Sequence, residues 1–379
     1  MADNALDYLI IGPAHPFRGG IAETQHELST ALLNQGFTVK LITFTKLYPK
    51  FLFPGSSPFN GLESPKYLDI EQEIHAYHPW SWKKTAHKIN SLAPKNIIFR
   101  YYTPFLAPVY VAIAKRLNKS IKKIALVDNW FPHESKPWDK ALNRSFKKQM
   151  QGFTTLSEQV AEQIKKEVNL PVWTGFHPIA TTLSPAVEKE KARAILGWSS
   201  TTKTILFFGL IRKYKGLELL IQSIGEYPLK ERDDIRLYVA GECYENPTKY
   251  SRIVKELQLE KRVTLDFTFK NPEEAALLFS AADVVAQTYH TATQSGVTPY
   301  AYFYNKPLLV TDIPGLNDLI NKDNTGLCTP KNTQAIALHL VQLLEVKNYT
   351  KFQENIEKAK HRYQWISFAK EWNLFIENL

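Results

Sequence analysis

Residues 205–224 read ILFFGLIRKYKGLELLIQSI, and two periodicities meet inside them. The unbroken apolar run 205–208 is the pattern of a parallel strand buried on both faces. Gly209 ends it. Beyond the turn, Leu217, Leu220, Ile221 and Ile224 recur at i, i+3, i+4 and i+7, one face of a helix. The turn itself carries Arg212, Lys213 and Lys215, followed by Gly216. In an open α/β sheet such a turn lies at the carboxyl ends of the strands, where these folds bind ligands. Cations there, beside the free N–H groups of a helix start, suit a phosphate. A plain solvated basic turn is the bland alternative.

The same strand–helix alternation extends in both directions. Toward the N-terminus, residues 8–11 predict a first strand. Gly19 and Gly20 then lead into a helix bearing Ile21, Leu28 and Leu32, which Gly36 stops before a strand at 39–43. This is a βαβ opening with a glycine-rich turn but without the GxGxxG spacing of a dinucleotide site. Residues 47–70, rich in Pro, Gly, Ser and aromatics, predict a loop. Trp80 and Trp82 beside Lys83, Lys84 and Lys88 form an aromatic and basic mixture suited to a lipid headgroup region, or a core-packed helix with a solvated face. A strand at 97–101 and a helix at 105–117 precede a strand at 124–127, which runs into DNWFPHESKP. Asp128, Asn129, His133 and Glu134 concentrate proton-active and hydrogen-bonding groups on that loop.

Helices at 138–150 and up to 166, with strands at 152–156 and 172–179, complete the first half, and 180–201 reads as a linker with a short charged helix. The second half repeats the alternation, with strands at 237–240, 263–267, 284–286 and 308–311 and helices ending near 257 and spanning 272–281 and 297–304. Before that last helix, Gln294, Ser295 and Gly296 make a polar turn, a second anion site in prospect or a simple serine cap. After Gly326 only helices are predicted, at 332–344, 350–363 and 366–379. The last carries Trp365, Phe368, Trp372 and Phe375 as an apolar stripe.

A chain of 379 residues is comfortable for two cores. Apolar content of 44% and charged content of 22% belong to a soluble globular protein. No apolar run approaches the ~20 residues of a membrane helix. The acidic N-terminus passes directly into a strand, unlike a secretory signal, and Cys243 and Cys328 are the only cysteines, so a cytoplasmic protein is expected. The net charge of +10 is uneven: residues 1–180 hold 22 Lys and Arg against 14 Asp and Glu, a surplus of +8. Such a surface suits an anionic membrane or a phosphorylated acceptor; no nucleic-acid motif accompanies it, so no nucleic-acid partner is expected. No Asp-x-Asp or histidine cluster predicts a metal.

The turn at 212–216 resembles the Arg-x-x-Lys-Gly signature of the retaining group 1 glycosyltransferases of the GT-B fold, and 294–315 resembles that family's second diphosphate loop with its Pro…Gly tail. The resemblance implies two Rossmann-like α/β domains facing each other across a cleft. They would span 1–181 on the acceptor side and 182–360 on the nucleotide-sugar side, with 361–379 returning to the first. It implies a hexosyl or related transferase, working with retention of configuration and with no cofactor beyond a nucleotide-diphosphate sugar as co-substrate. The acceptor would be a glycan or a lipid-linked one. Arg212 and Lys215, with the backbone at Gly19, Gly20, Gln294, Ser295, Gly296 and Val297, would hold the donor diphosphate, and Thr298 and Glu242 are candidates for the sugar or ribose. The family histidine near the donor sugar is replaced here by Asp128, or its imidazole is supplied by His133. Two family glutamates are missing, their sites falling near Ala292 and Tyr300. A phosphorylase or epimerase of the same fold, or a binding protein with a decayed site, would share these features.

Overall fold

A computed structural model describes residues 6–17, 19–47, 63–131 and 136–379. The 47–70 loop lies largely outside these residues, as do His133 and Glu134. The chain divides into two compact units, Met1–Phe176 with Trp365–Leu379, and His177–Gln364.

In chain order the first unit contains β1 (Tyr8–Ile11), α1 (Gly20–Asn34), β2 (Val39–Lys46), β3 (Asp69–His75), α2 (Pro79–Leu92), β4 (Asn96–Tyr101), α3 (Ala107–Ala114), β5 (Lys122–Val127), α4 (Asp139–Lys147), β6 (Gly152–Thr155), α5 (Glu158–Lys165) and β7 (Val172–Thr174). The second contains α6 (Lys189–Leu196), β8 (Lys203–Phe208), α7 (Leu217–Ile224), β9 (Ile235–Ala240), α8 (Thr248–Glu256), β10 (Val263–Asp266), α9 (Pro272–Ala281), β11 (Val284–Gln287), α10 (Val297–Phe303), β12 (Leu308–Thr311), α11 (Asn317–Asp323), β13 (Gly326–Thr329), α12 (Thr333–Leu344) and α13 (Val346–Lys360). The final helix α14 (Trp365–Glu377) belongs to the first unit.

Both sheets are parallel, ordered β3-β2-β1-β4-β5-β6-β7 and β10-β9-β8-β11-β12-β13. Each order reverses at its first strand, the doubly wound arrangement that opens a ligand crevice at the carboxyl edge. In the first unit the pleat sorts successive side chains into two cores. Leu9, Ile11, Ile97, Phe99 and Val127 pack on one face, with Val109 and Phe146 from the helices. Tyr8, Ile10, Ile98 and Leu126 pack on the other, with Leu28 and Leu32 of α1. That second core is closed by α14. Trp365, Phe368, Trp372 and Ile376 are buried, Phe375 is partly so, and Asn373 accepts a hydrogen bond from the Tyr8 hydroxyl.

Four elements differ from the sequence expectation. β3 is a strand although DIEQEIH has no apolar run. It is an edge of the sheet, where only Ile74 is buried in the core and charged pairs line the rest, Asp69 meeting Lys40 at 2.8 Å and Glu73 meeting Lys88 at 2.8 Å. Neither α11 nor β13 was expected. Both are short, and the GLCT of β13 presents too few apolar residues to stand out from a loop. The strand expected at 172–179 stops at Thr174.

Candidate functional site

In the second unit, β8 delivers Gly209 at the carboxyl edge of the sheet with φ +99°, a left-handed conformation that favours glycine. A Cβ there would stand 3.2 Å from the Lys215 ammonium and 3.6 Å from Val297 Cγ2. The glycine thus leaves the room in which the two sequence motifs, some eighty residues apart, converge. Gly216 is equally constrained: at φ +60° its Cβ would lie 2.1 Å from the Thr288 carbonyl oxygen. That close approach, with the Thr288 hydroxyl donating to the Gly216 carbonyl at 2.9 Å, fixes the Arg-Lys turn against the end of β11.

Lys215 is only 8% exposed. Its ammonium lies 5.3 Å from the ring centre of Tyr289, and among the described residues it has no hydrogen-bond or ion-pair partner. Burial holds its pKa below the ordinary lysine value, and the positive charge of Arg212 pushes the same way. Arg212 is exposed, its guanidinium 4.9 Å from the ring centre of Tyr244, whose hydroxyl donates to Glu242 at 3.3 Å. Glu242 therefore stands beside the cationic turn.

Tyr289 joins this turn to the second loop. Its hydroxyl is 3.3 Å from the Ser295 hydroxyl oxygen, which in turn accepts the Val297 N–H at 3.2 Å. Burial raises the Tyr289 phenol to about 12, so it remains a neutral hydrogen-bonding group. Ser295 is buried and Gly296 exposed; a Cβ on Gly296 would meet nothing closer than His177 Nε2 at 4.0 Å. Protein packing therefore does not demand a glycine there. The Gln294 side-chain oxygen is buried without a hydrogen-bond partner among the described residues. Thr298 has its hydroxyl engaged, accepting from the Gln287 amide at 3.0 Å.

The first unit brings a different group to its own carboxyl edge. Asp128 follows β5 directly, and both its oxygens are taken by Arg100 at the end of β4, from Nε and Nη2, each at 2.6 Å. Arg100 Nη2 also donates to the Thr24 hydroxyl at 2.9 Å, tying α1 to the pair. Arg100 Nη1 and both polar atoms of the Gln25 amide are buried without partners among the described residues. Asn129 is half-buried beside Asp128. Gly19 and Gly20 are exposed at the start of α1, Gly19 with φ +110°. Sequence reasoning passed over Arg100, Gln25 and Tyr289. For Arg100 a signal existed, since a charged residue near the end of the apolar run NIIFRY has to be paired.

No group of three His, Cys, Asp or Glu side chains suited to a metal occurs among the described residues. No helix of the described residues is long and apolar enough to cross a membrane.

Two Rossmann-like sheets with these sites at their edges define the GT-B class of fold. Sucrose-phosphate synthase from Thermosynechococcus elongatus superposes with a TM-score of 0.76 over 98% of both chains at 15% identity. Anabaena HepE, solved in complex with UDP, gives 0.75 over 98% of this chain and 100% of that one, also at 15%. Residues 188–362, nearly all of the second unit, match the model of the glycosyl transferases group 1. The D-inositol 3-phosphate glycosyltransferase of Corynebacterium aurimucosum is 32% identical over 163 residues, 41% of this chain and 38% of that protein. A glycosyltransferase of Methanocaldococcus jannaschii is 25% identical over 227 residues, 57% of each chain. The chain thus matches about half the length, or less, of these curated relatives.

Proposed function

We propose that the protein is a glycosyltransferase that takes a nucleoside-diphosphate sugar on its second unit and passes the sugar to a glycan or lipid-linked acceptor. Retention of configuration is carried over from the family resemblance. Lys215 is the observation that supports the reading most strongly. A buried ammonium with no anionic partner costs several kcal/mol, and a diphosphate bound beside it offsets that cost. As the bond between the sugar and the diphosphate breaks, negative charge grows on the leaving group. Lys215 in its low-dielectric surroundings and Arg212 at the surface stabilise that charge in place, without a metal cation. Ser295 and Gly296 border the same space, and the open side of Gly296 suits the approach of phosphate oxygens. Glu242 is the nearer candidate for a donor hydroxyl, since the Thr298 hydroxyl is already used.

In the first unit we assign Asp128 to holding Arg100 rather than to proton transfer, because both its carboxylate oxygens are engaged. The basic first half supports work beside an anionic membrane surface on the cytoplasmic side: Trp80 is 76% exposed on the same helix as Lys83 and Lys84. Each interfacial lysine would contribute about 1 kcal/mol, screened by salt. Flotation with phosphatidylserine liposomes tests this, and binding indifferent to lipid charge and to salt would contradict it. The transfer reading is tested by incubating the protein with UDP-, GDP- and ADP-hexoses and following release of the nucleoside diphosphate. Release that disappears in Arg212→Ala is expected. Absence of release from all three, or release that survives the substitution, would overturn it.

A further inference from the structure

The first unit holds a cavity of about 450 Å³ that the donor site does not use. Its walls come from segments that follow β3, β4 and β5, so it opens on the carboxyl edge of the sheet, the edge that also carries Asp128. Four aromatic side chains dominate it: Tyr77, Trp82, Phe105 and Trp138. The polar tips of two of them are spent on the main chain. Tyr77 donates its hydroxyl to the Leu47 carbonyl at 3.1 Å, and Trp82 its indole N–H to the His75 carbonyl at 2.9 Å. Tyr77 and Phe105 also pack together at 5.7 Å. The rings are therefore anchored surfaces, and hydrogen bonding to an occupant falls to other groups.

Those groups are Asp139 and Lys136, which line the same cavity. Asp139 is 5% exposed, accepts the Lys136 backbone N–H at 2.7 Å through one oxygen, and has no ion-pair partner among the described residues. The Lys136 ammonium lies 5.5 Å from the ring centre of Trp138 and has no carboxylate partner among the described residues. A hydrocarbon chain would leave the Asp139 carboxylate facing apolar atoms, which costs free energy. A sugar ring does not have that conflict. It offers an apolar C–H face to an aromatic platform and hydroxyls at its rim, which can donate to a carboxylate and accept from an ammonium.

We infer that this cavity is the subsite for a pyranose ring of the acceptor, with Trp138 as its platform and Asp139 and Lys136 as its hydroxyl partners. The inference deepens the glycosyltransferase reading and rests on it for the identity of the occupant as acceptor. It narrows the acceptor to one that presents a sugar ring, and sets aside one bound by its lipid chain.

Saturation-transfer difference NMR tests it, with the methyl pyranosides of glucose, galactose, mannose and N-acetylglucosamine as probes and dodecyl phosphate as the competing amphiphile. Saturation of ring C–H protons is expected for at least one pyranoside. Its Kd should rise roughly tenfold or more in Trp138→Ala, in line with the loss of a central aromatic anchor. Asp139→Asn should weaken it less, because the amide oxygen still accepts while the negative charge is gone. Trp138 is 58% exposed, so the fold should tolerate its truncation, and UDP binding on the same samples serves as a check. Pyranoside signals that ignore Trp138→Ala, or a cavity that takes dodecyl phosphate and none of the pyranosides, would overturn the inference. UDP binding without pyranoside binding defeats this inference alone. Pyranoside binding without any nucleotide binding defeats the proposed transfer function instead.

Discussion

Replacing Lys215 by methionine should make the protein more stable and its donor site worse at the same time. Methionine keeps the length and apolar body of lysine and removes the charge. In the folded protein the residue is 8% exposed, its ammonium over the Tyr289 ring, with the Tyr214 phenol favouring its charge and Arg212 opposing it. A cation–π contact of this kind returns about 0.5–2 kcal/mol, whereas burying an ammonium costs several. The net relief is on the order of 1–3 kcal/mol, and at about 2–4 °C per kcal/mol for a unit of this size Tm should rise by roughly 2–12 °C. The pH dependence has a definite sign. Burial lowers the folded pKa below the unfolded 10.5, so between those two values the unfolded chain binds more protons. The penalty is therefore full below the folded pKa and fades as pH rises toward 10.5; Lys215→Met should lose this contribution. Binding should move the other way, since losing a charge-assisted contact of about 1.5–3 kcal/mol weakens UDP by roughly 10- to 150-fold. Scanning calorimetry with and without UDP reads both effects. Wild type at 100 times its Kd should gain about 2.7 kcal/mol, and the variant at the same concentration far less. A variant that is less stable than wild type without ligand, or that binds UDP as wild type does, would contradict this role for Lys215.

Arg212→Ala, at an exposed position, should leave Tm nearly unchanged and lower kcat/KM by on the order of 10²–10³, read from nucleotide release under donor-limited conditions. Ser295→Asp sets a carboxylate beside the diphosphate and Gly296→Val fills its open side, so calorimetric titration should show both weakening UDP. Tyr300→Phe should be mild in the same titration. Trp372→Ala removes a fully buried indole from the core that α14 closes, and urea melts should show a loss of about 3–5 kcal/mol, with UDP affinity on the second unit as the control.

The regular part of the fold was legible because its strands are uninterrupted apolar runs and its helices carry one apolar stripe each. β8 and α7 could be read from the change of period between residues 205 and 224. The elements that escaped are those with no apolar run or stripe of their own, although each of β3 and α11 buries an isoleucine. β3 is held by cross-strand charge at a sheet edge, and β13 is a four-residue strand beside β12. The site was half legible. Arg212 and Lys215 stood out as cations in a glycine-bounded turn, but spacing could not reveal that one would be buried and the other exposed. Tyr289, which bridges the two loops, looked like one more tyrosine in an aromatic stretch. Asp128 was visible as a polar residue at a strand end. That Arg100 takes both its oxygens depends on β4 and β5 lying side by side in register, which only the sheet order provides.

The central claim, that the donor diphosphate sits on the turn of the second unit, is tested most directly by a crystal structure of the protein soaked with UDP. Phosphate oxygens are expected within hydrogen-bonding distance of both the Lys215 ammonium and the Arg212 guanidinium, with the β-phosphate in the space that Gly209 leaves open. UDP bound with its phosphates away from Lys215, or held elsewhere in the molecule, would contradict it.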